Sequence, residues 1–301
     1  MAQKVPHDEL VKKLVLKVYK GVVMYDKAND EIGEIEQMDT REDDIWVCTF
    51  PRSGTTLTQE MVYLIQTLDF ETANKVHLDV RFPQVEVHDE HWPDFKGLKE
   101  VEQRKSPRMI KSHLHHSLLP EQLRNGKGRI IYVCRNPKDV IISYFRWQKW
   151  VGLLVERNDT LEKCLDGIVN GTEYACPWPR HLLEYWERRN DKNVLFLRYE
   201  DIVADKPAAI RRIADFLGKP LSDENVAQIT KHCHVDNMRN NPMVNLKYWE
   251  DYKLVNTNIE RAHINKGKPG IWHDVLTEEQ SKKIDKLIQE LDGSGLEVKQ
   301  T

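Results

Sequence analysis

Apolar positions fall into two rhythms along the chain. Ile45 to Phe50, Arg129 to Cys134 and Asn193 to Arg198 are short runs rich in β-branched and aromatic residues, the composition of strands buried on both faces. Arg108 to Ser112 reads as another short strand. After the first run, Leu57, Met61, Leu64, Ile65 and Leu68 recur at helical spacing. Val140, Ile141, Tyr144 and Phe145 do the same behind Pro137, which suits the first helical position. His181, Leu182, Tyr185 and Trp186 mark a helix behind the rigid loop Cys176-Pro177-Trp178-Pro179. Lys206 to Leu217, Asp223 to His232 and Thr277 to Leu291 read as amphipathic helices. Strands alternating with helices predict an open α/β sheet.

The remaining stretches are less regular. Over 8–24, Leu10, Val11, Leu14, Val15, Val18 and Tyr19 share one helical face, with Lys12, Lys13, Lys17 and Lys20 around the other. A helix docked on the domain and one lying on a membrane both fit that pattern. Glu31 to Asp44 is polar and acidic, and reads as a loop. Residues 69–107 read as a long irregular stretch holding Phe82, Trp92 and Phe95 among prolines. Both the wall of an apolar pocket and an outer cap on the core account for it. Trp147, Tyr248, Trp249 and Tyr252 are further pocket candidates.

Composition narrows the class. The 301 residues suit one domain spanning 1–301, and 45 basic against 48 acidic residues leave no global nucleic-acid footprint. Five cysteines without CxxC spacing point to reduced thiols rather than a disulfide framework or a metal site. The N-terminus lacks a signal-peptide pattern, no window is apolar enough for a membrane span, and a cytoplasmic location is expected. The Asn158 and Asn170 glycosylation sequons are therefore read as silent.

Candidate chemistry centres on Thr49-Phe50-Pro51-Arg52-Ser53-Gly54-Thr55-Thr56-Leu57. A strand breaks at Pro51, turns at Gly54 and enters a helix. Unpaired N–H groups of the first helical turn, hydroxyls of Ser53, Thr55 and Thr56, and the charge of Arg52 make an anion cradle. No GxxxxGK[ST] string occurs in the chain. His113 follows the strand ending at Lys111, where ligands gather in open sheets. Arg135 ends another strand, and Ser143 lies eight residues later, two turns into the following helix. His115 and His116 are read as solvent-exposed.

The stretch from Thr49 to Thr56 resembles the TYPKSGTTW loop of the cytosolic sulfotransferases, which move a sulfonate from 3′-phosphoadenosine 5′-phosphosulfate (PAPS) to a hydroxyl or amine. Three further stretches are similar to family motifs in the same order. Lys111-Ser112-His113-Leu114 resembles KTHLP, Arg135 through Ser143 resembles RNxKDxxxS, and Lys266-Gly267 with Gly270 and Trp272 resembles RKGxxGDW. The resemblance implies a three-layer αβα, P-loop-kinase-like fold with a mostly parallel central sheet. It implies His113 as general base, and Lys111 and Arg52 stabilising the transfer. The 5′-phosphosulfate falls to Arg52, Ser53, Gly54, Thr55 and Thr56, and the 3′-phosphate to Arg135, Ser143, Lys266 and Gly267 with neighbouring Ile264 and Asn265. Contacts around the purine fall to Leu57, Tyr199 and Cys233.

Several positions depart from the family's pattern. Arg52 stands for lysine and Leu57 for the adenine-stacking tryptophan, so that Tyr199 is left to take up stacking. Cys233-His234-Val235 stands for Thr-Ser-Phe, and Asn265 for arginine, with Lys268 nearby to restore charge. Thr277-Glu278 stands where the family's dimer motif has Thr-Val, so the usual homodimer is not expected. The implied acceptor is a small hydroxylated molecule such as a phenol, steroid or alcohol, received by Phe82, Trp92, Phe95, His113, Trp147 and Tyr248, with PAPS as co-substrate and no metal. A P-loop kinase and an inactive PAP- or PAPS-binding homologue are the rival readings, PAP being 3′-phosphoadenosine 5′-phosphate. Sulfonation-driven dehydration of an alcohol is a variant of the first.

Overall fold

The computed structural model describes residues 15–87, 97–151, 160–252, 255–259, 263–264 and 267–300. Its centre is a four-stranded sheet of β3 (Ile45–Thr49), β4 (Met109–Ser112), β5 (Arg129–Cys134) and β6 (Val194–Arg198) in the order β4-β3-β5-β6, every pairing parallel. Successive residues of these strands feed opposite faces. Trp46, Cys48, Ile130, Tyr132, Cys134 and Phe196 join one apolar cluster. Val47, Ile131, Val133, Leu195 and Leu197 join the other. Burial on both faces is why the strands read as unbroken apolar runs.

Helices cover both faces. α2 (Thr55–Thr67), α6 (Tyr199–Ala204), α7 (Lys206–Leu217) and α8 (Asp223–His232) pack Met61, Ile202, Ile210 and Ile229 onto the second cluster. α3 (Pro137–Trp150), α4 (Leu161–Val169), α5 (Trp178–Glu187) and α9 (Glu278–Gln289) bring Val140, Leu165, Tyr185 and Ile284 to the first. The helices leaving β3 and β5, neighbours in the sheet, thus depart to opposite faces. That divergence opens a crevice at the carboxyl ends of those two strands, the switch point where open sheets bind ligands.

The N-terminal part differs from the sequence reading. Of the expected helix over 8–24, residues 8–14 lie outside the described residues. The rest is a hairpin of β1 (Leu16–Tyr19) and β2 (Val22–Tyr25). Lys20 and Gly21 both have positive φ, the conformation of a two-residue hairpin turn. Val22 and Met24 are buried while Val18 is 70% exposed, so the supposed helical stripe is not a buried face. The first half of the expected acidic loop is instead the end of α1 (Asp26–Gln37), which buries Ile32 and Ile35 on the first cluster, while 38–44 is non-helical. Two apolar residues among carboxylates were too sparse to register as periodic. The stretch 69–107 contains short helices at Phe70–Ala73, Leu78–Arg81 and Gly97–Gln103. His115 and His116 are buried rather than exposed. His115 Nε2 donates to the Ala175 carbonyl at 2.9 Å, and His116 packs edge-on against Tyr185. Among the described residues no helix is long and apolar enough to cross a membrane.

Candidate functional site

Past the end of β3 the chain makes a turn that most residues resist. Arg52 has φ 70° and Gly54 φ 104°. A Cβ on Gly54 would lie 2.6 Å from Cδ2 of Tyr199, so both backbone angle and space demand glycine. Gly54 then occupies the N-cap position of α2 with no side chain capping the first turn. Ser53 Oγ is buried with no partner among the described residues. Thr55 Oγ1 lies 2.6 Å from Thr49 Oγ1. The result is an inward-facing nest of donors beside the positive end of a helix.

A second cation meets this turn from the end of β5. Arg135 donates through Nη1 to the Arg52 carbonyl at 3.1 Å, and its guanidinium lies 4.4 Å from the centre of the Tyr199 ring. Its Nε is buried without a partner among the described residues. Arg52 Nε in turn donates to Ser143 Oγ at 3.2 Å. Burial, followed by the charge of Arg135, pulls the Arg52 pKa down to about 9. Two crowded guanidiniums and unsatisfied donors are what an anion with several oxygens would relieve.

The residues after Arg135 organise the far side. Asn136 caps α3 by accepting from the Lys138 N–H. Asp139, fully buried, accepts from the N–H groups of Gly270 at 2.7 Å and Trp272 at 3.1 Å. Lys138 pairs with Asp285 at 2.7 Å and lies 4.3 Å from the Trp272 ring centre. The glycine-rich loop before Trp272 is therefore tied to α3. Arg52 also donates to the His263 carbonyl at 2.7 Å, and Thr56 Oγ1 lies 3.2 Å from His263 Nε2. Gly267 has φ 63° and packs against Val235 so closely that a Cβ would meet Cγ2 at 2.6 Å.

His113 completes the centre. Its Nδ1 lies 2.8 Å from the Thr49 carbonyl, which can only accept, so Nδ1 carries the proton and Nε2 keeps a lone pair. Burial, then the charges of Lys111 and Arg52, lower the His113 pKa to about 3. The imidazole is neutral across the physiological range. Burial and Arg52 lower the Lys111 pKa, while Asp79 and Glu86 oppose them.

Residues far apart in sequence thus come together: Arg52, Ser53, Gly54, Thr55 and Thr56 with Arg135, Ser143 and Tyr199, and His113 through Thr49. Other expected contacts lie in the apolar clusters. Cys233 and Phe82 are fully buried in the second apolar cluster, with Leu57 and Ile264 packed against it. The Tyr199 ring is engaged by Gly54 and Arg135. Trp147 packs with Trp150, Tyr248 and Trp249 in a third cluster, and Tyr248 donates to Asp79 at 2.7 Å. Trp92, Phe95, Asn265 and Lys266 lie outside the described residues. Sequence reasoning missed Thr49, Glu86, His263 and the anchoring role of Asp139. Asp139 was visible inside its motif, whereas Glu86 carried no local signal.

Residues 42–295 match the sulfotransferase domain model. Human sulfotransferase 4A1 is 32% identical over 275 residues, covering 90% of this chain and 88% of the relative. The amine sulfotransferase of Oryctolagus cuniculus is 34% identical over 267 residues, covering 86% and 84%. Among solved structures, retinol dehydratase in complex with androsterone and the inactive cofactor PAP superposes with a TM-score of 0.87 at 28% identity, covering 100% of this chain and 97% of that one. Mouse SULT7A1 complexed with PAP gives 0.72 at 26% identity, covering 93% and 95%.

Proposed function

The chain belongs to the sulfotransferase family, and from that premise we propose that it takes the sulfonate from PAPS, with His113 as general base and a small apolar alcohol, phenol or amine as acceptor. The observation that carries this reading is the convergence of Arg52, Ser53, Arg135 and Ser143 in the β3–β5 crevice, with His113 held at the end of the same β3 by Thr49 and its proton on Nδ1.

The residues present fit the donor. Ser53 Oγ and Arg135 Nε are buried donors lacking partners among the described residues, and each suits a phosphate oxygen. Ser53, Thr55, Thr56 and the first N–H groups of α2 would hold its 5′ end, and Arg135 and Ser143 its 3′-phosphate. Bound there, PAPS supplies the sulfonate and leaves as PAP. His113 Nε2 accepts the acceptor's O–H proton as that oxygen bonds to sulfur. The bond between sulfur and the bridging oxygen breaks, and its electron pair stays on the 5′-phosphate of PAP. Arg52 and Lys111 offset the negative charge that moves through the centre, an effect worth a few kcal/mol in a dry site (~3 kcal/mol per well-placed donor). The rest is positioning.

Two solved structures of one relative favour the acceptor class. Retinol dehydratase has been captured with androsterone and with retinol, each a small, largely apolar molecule. In this chain the half-buried Trp147 packs on the cluster of Trp150, Tyr248 and Trp249, and it is the member of that group proposed to meet the acceptor. Incubating the protein with sulfur-labelled PAPS and a panel of phenols, steroids, retinoids, long-chain alcohols and arylalkylamines tests the reading. Label should pass to at least one acceptor with release of PAP. Stabilisation by ATP but not PAP in thermal shift, with no label transferred, would return the protein to the kinase reading. Stabilisation by PAP without transfer would leave it a donor-binding homologue.

A further inference from the structure

His113 is gripped at more than its ring. Its main-chain N–H donates to Glu86 Oε1 at 2.6 Å. The same oxygen accepts from Gln84 Nε2 at 2.7 Å and from the Tyr174 hydroxyl at 3.2 Å. Glu86 is 1% exposed, and its other oxygen, Oε2, is buried without a partner among the described residues. On the other side, the His113 carbonyl lies 3.1 Å from Nε2 of His181. A carbonyl only accepts, so His181 carries its proton on Nε2. Its Nδ1 therefore accepts from the Tyr132 hydroxyl at 2.9 Å. His181 is wholly buried, which holds its pKa well below the ordinary value and keeps it neutral. Neither residue lies in a motif that resembles the family.

We propose that Glu86 and His181 are positioning residues that clamp His113 by its two main-chain groups and so aim the Nε2 lone pair at the acceptor. With Thr49 holding Nδ1, the histidine is fixed at three points contributed by β3, by the 84–86 segment and by α5. Turning the ring breaks the Thr49 contact, and shifting the backbone breaks the Glu86 or His181 contact. Preorganisation of this kind keeps a base within the fraction of an ångström that proton transfer requires.

Glu86 has a second task, because its charge reaches Lys111. The groups that act on Lys111 are Arg52, which disfavours its protonated form, and Asp79 and Glu86, which favour it. Burial raises the Glu86 pKa, while the His113 N–H, Gln84 and Lys111 favour the carboxylate. Glu86 thus couples the aim of the base to the protonation of the neighbouring lysine.

The proposal rests on His113 being the base, and the experiment separates the two. Turnover, PAP binding and the kcat–pH profile are measured for the wild type, His113→Ala, Glu86→Ala, Glu86→Gln, Tyr174→Phe, His181→Leu and His181→Gln. Glu86→Ala and His181→Leu should lower kcat about 10- to 100-fold while PAP affinity stays within about twofold. Glu86→Gln, which keeps an acceptor for the His113 N–H, and His181→Gln, which keeps a donor for the carbonyl, should recover part of that loss. Glu86→Gln should also move the basic limb of the profile to lower pH, because Lys111 loses a countercharge. Tyr174→Phe, the milder change, should lower kcat severalfold. An inert wild type or an active His113→Ala overturns the parent reading and the clamp with it. An active wild type and inert His113→Ala, with every clamp variant at wild-type kcat and an unmoved profile, overturns the clamp alone.

Discussion

Replacing Gly54 with alanine should weaken folding and donor binding through one contact. Gly54 has φ 104°, and a methyl there would sit 2.6 Å from Tyr199 Cδ2. Holding alanine at positive φ costs about 1–2 kcal/mol. Overpacking against a ring wedged between the loop and Arg135 adds about 1–3 kcal/mol. The sum, roughly 2–5 kcal/mol, is a large part of a typical domain's stability. If Tyr199 yields instead, it carries away the ring that Arg135 covers at 4.4 Å, and the proposed 3′-phosphate contact of Arg135 should loosen. The assay is urea unfolding of the wild type, Gly54→Ala, Tyr199→Ala and the double variant, with PAP affinity measured for each. The double variant should be less destabilised than the sum of the singles by about 1–3 kcal/mol, because the clash is counted only where both partners are present. Gly54→Ala within about 0.5 kcal/mol of wild type and binding PAP normally would refute the reasoning, as would strict additivity.

Two further outcomes follow from the geometry. Arg135→Ala should weaken PAP by about 2–3 kcal/mol but adenosine 5′-monophosphate far less, since only PAP carries the 3′-phosphate; calorimetry showing equal losses would remove that assignment. Stability should fall as pH drops below about 6.5, because burial depresses the pKa of His113 to about 3 and of His116 to about 4, and holds that of His181 well below its ordinary value. Between the unfolded and folded values the unfolded chain binds the proton first, so His113 and His116 each remove about 2 kcal/mol by pH 5, and His181 acts in the same direction. Glu86 and Glu200, raised by burial, work in the opposite sense and offset part of this. A urea midpoint at pH 5 equal to or above that at pH 7 would contradict it.

The parts of the chain that could be read in advance are those where local pattern and tertiary role coincide. β3 and β5 are buried on both faces, so their apolar runs are unbroken. α7 and α8 run from Lys206 to Leu217 and from Asp223 to His232, the bounds their periodicity predicts. The loop from Thr49 to Thr56 was visible because its tight turn and the close approach at Gly54 restrict residue type, and the Arg135–Ser143 pair because it resembles a family motif. The hairpin at 16–25 was hidden behind a helical spacing of valines that the protein leaves exposed. α1 was hidden because it buries few apolar residues among many charges. Glu86 and His181 escaped for another reason. Their partners are the N–H and C=O of His113, and a backbone group gives no sign in sequence of which distant side chain will meet it. His115 likewise gave no hint of burial, since the carbonyl it serves belongs to Ala175.

The most direct test of the whole account compares wild type and His113→Ala under saturating PAPS and the best acceptor, with PAP affinity measured on the same samples. Neutral His113, with Nε2 uncommitted, predicts a fall in kcat of at least about 100-fold with PAP binding unchanged. Turnover that survives the substitution would show that another group takes the acceptor's proton.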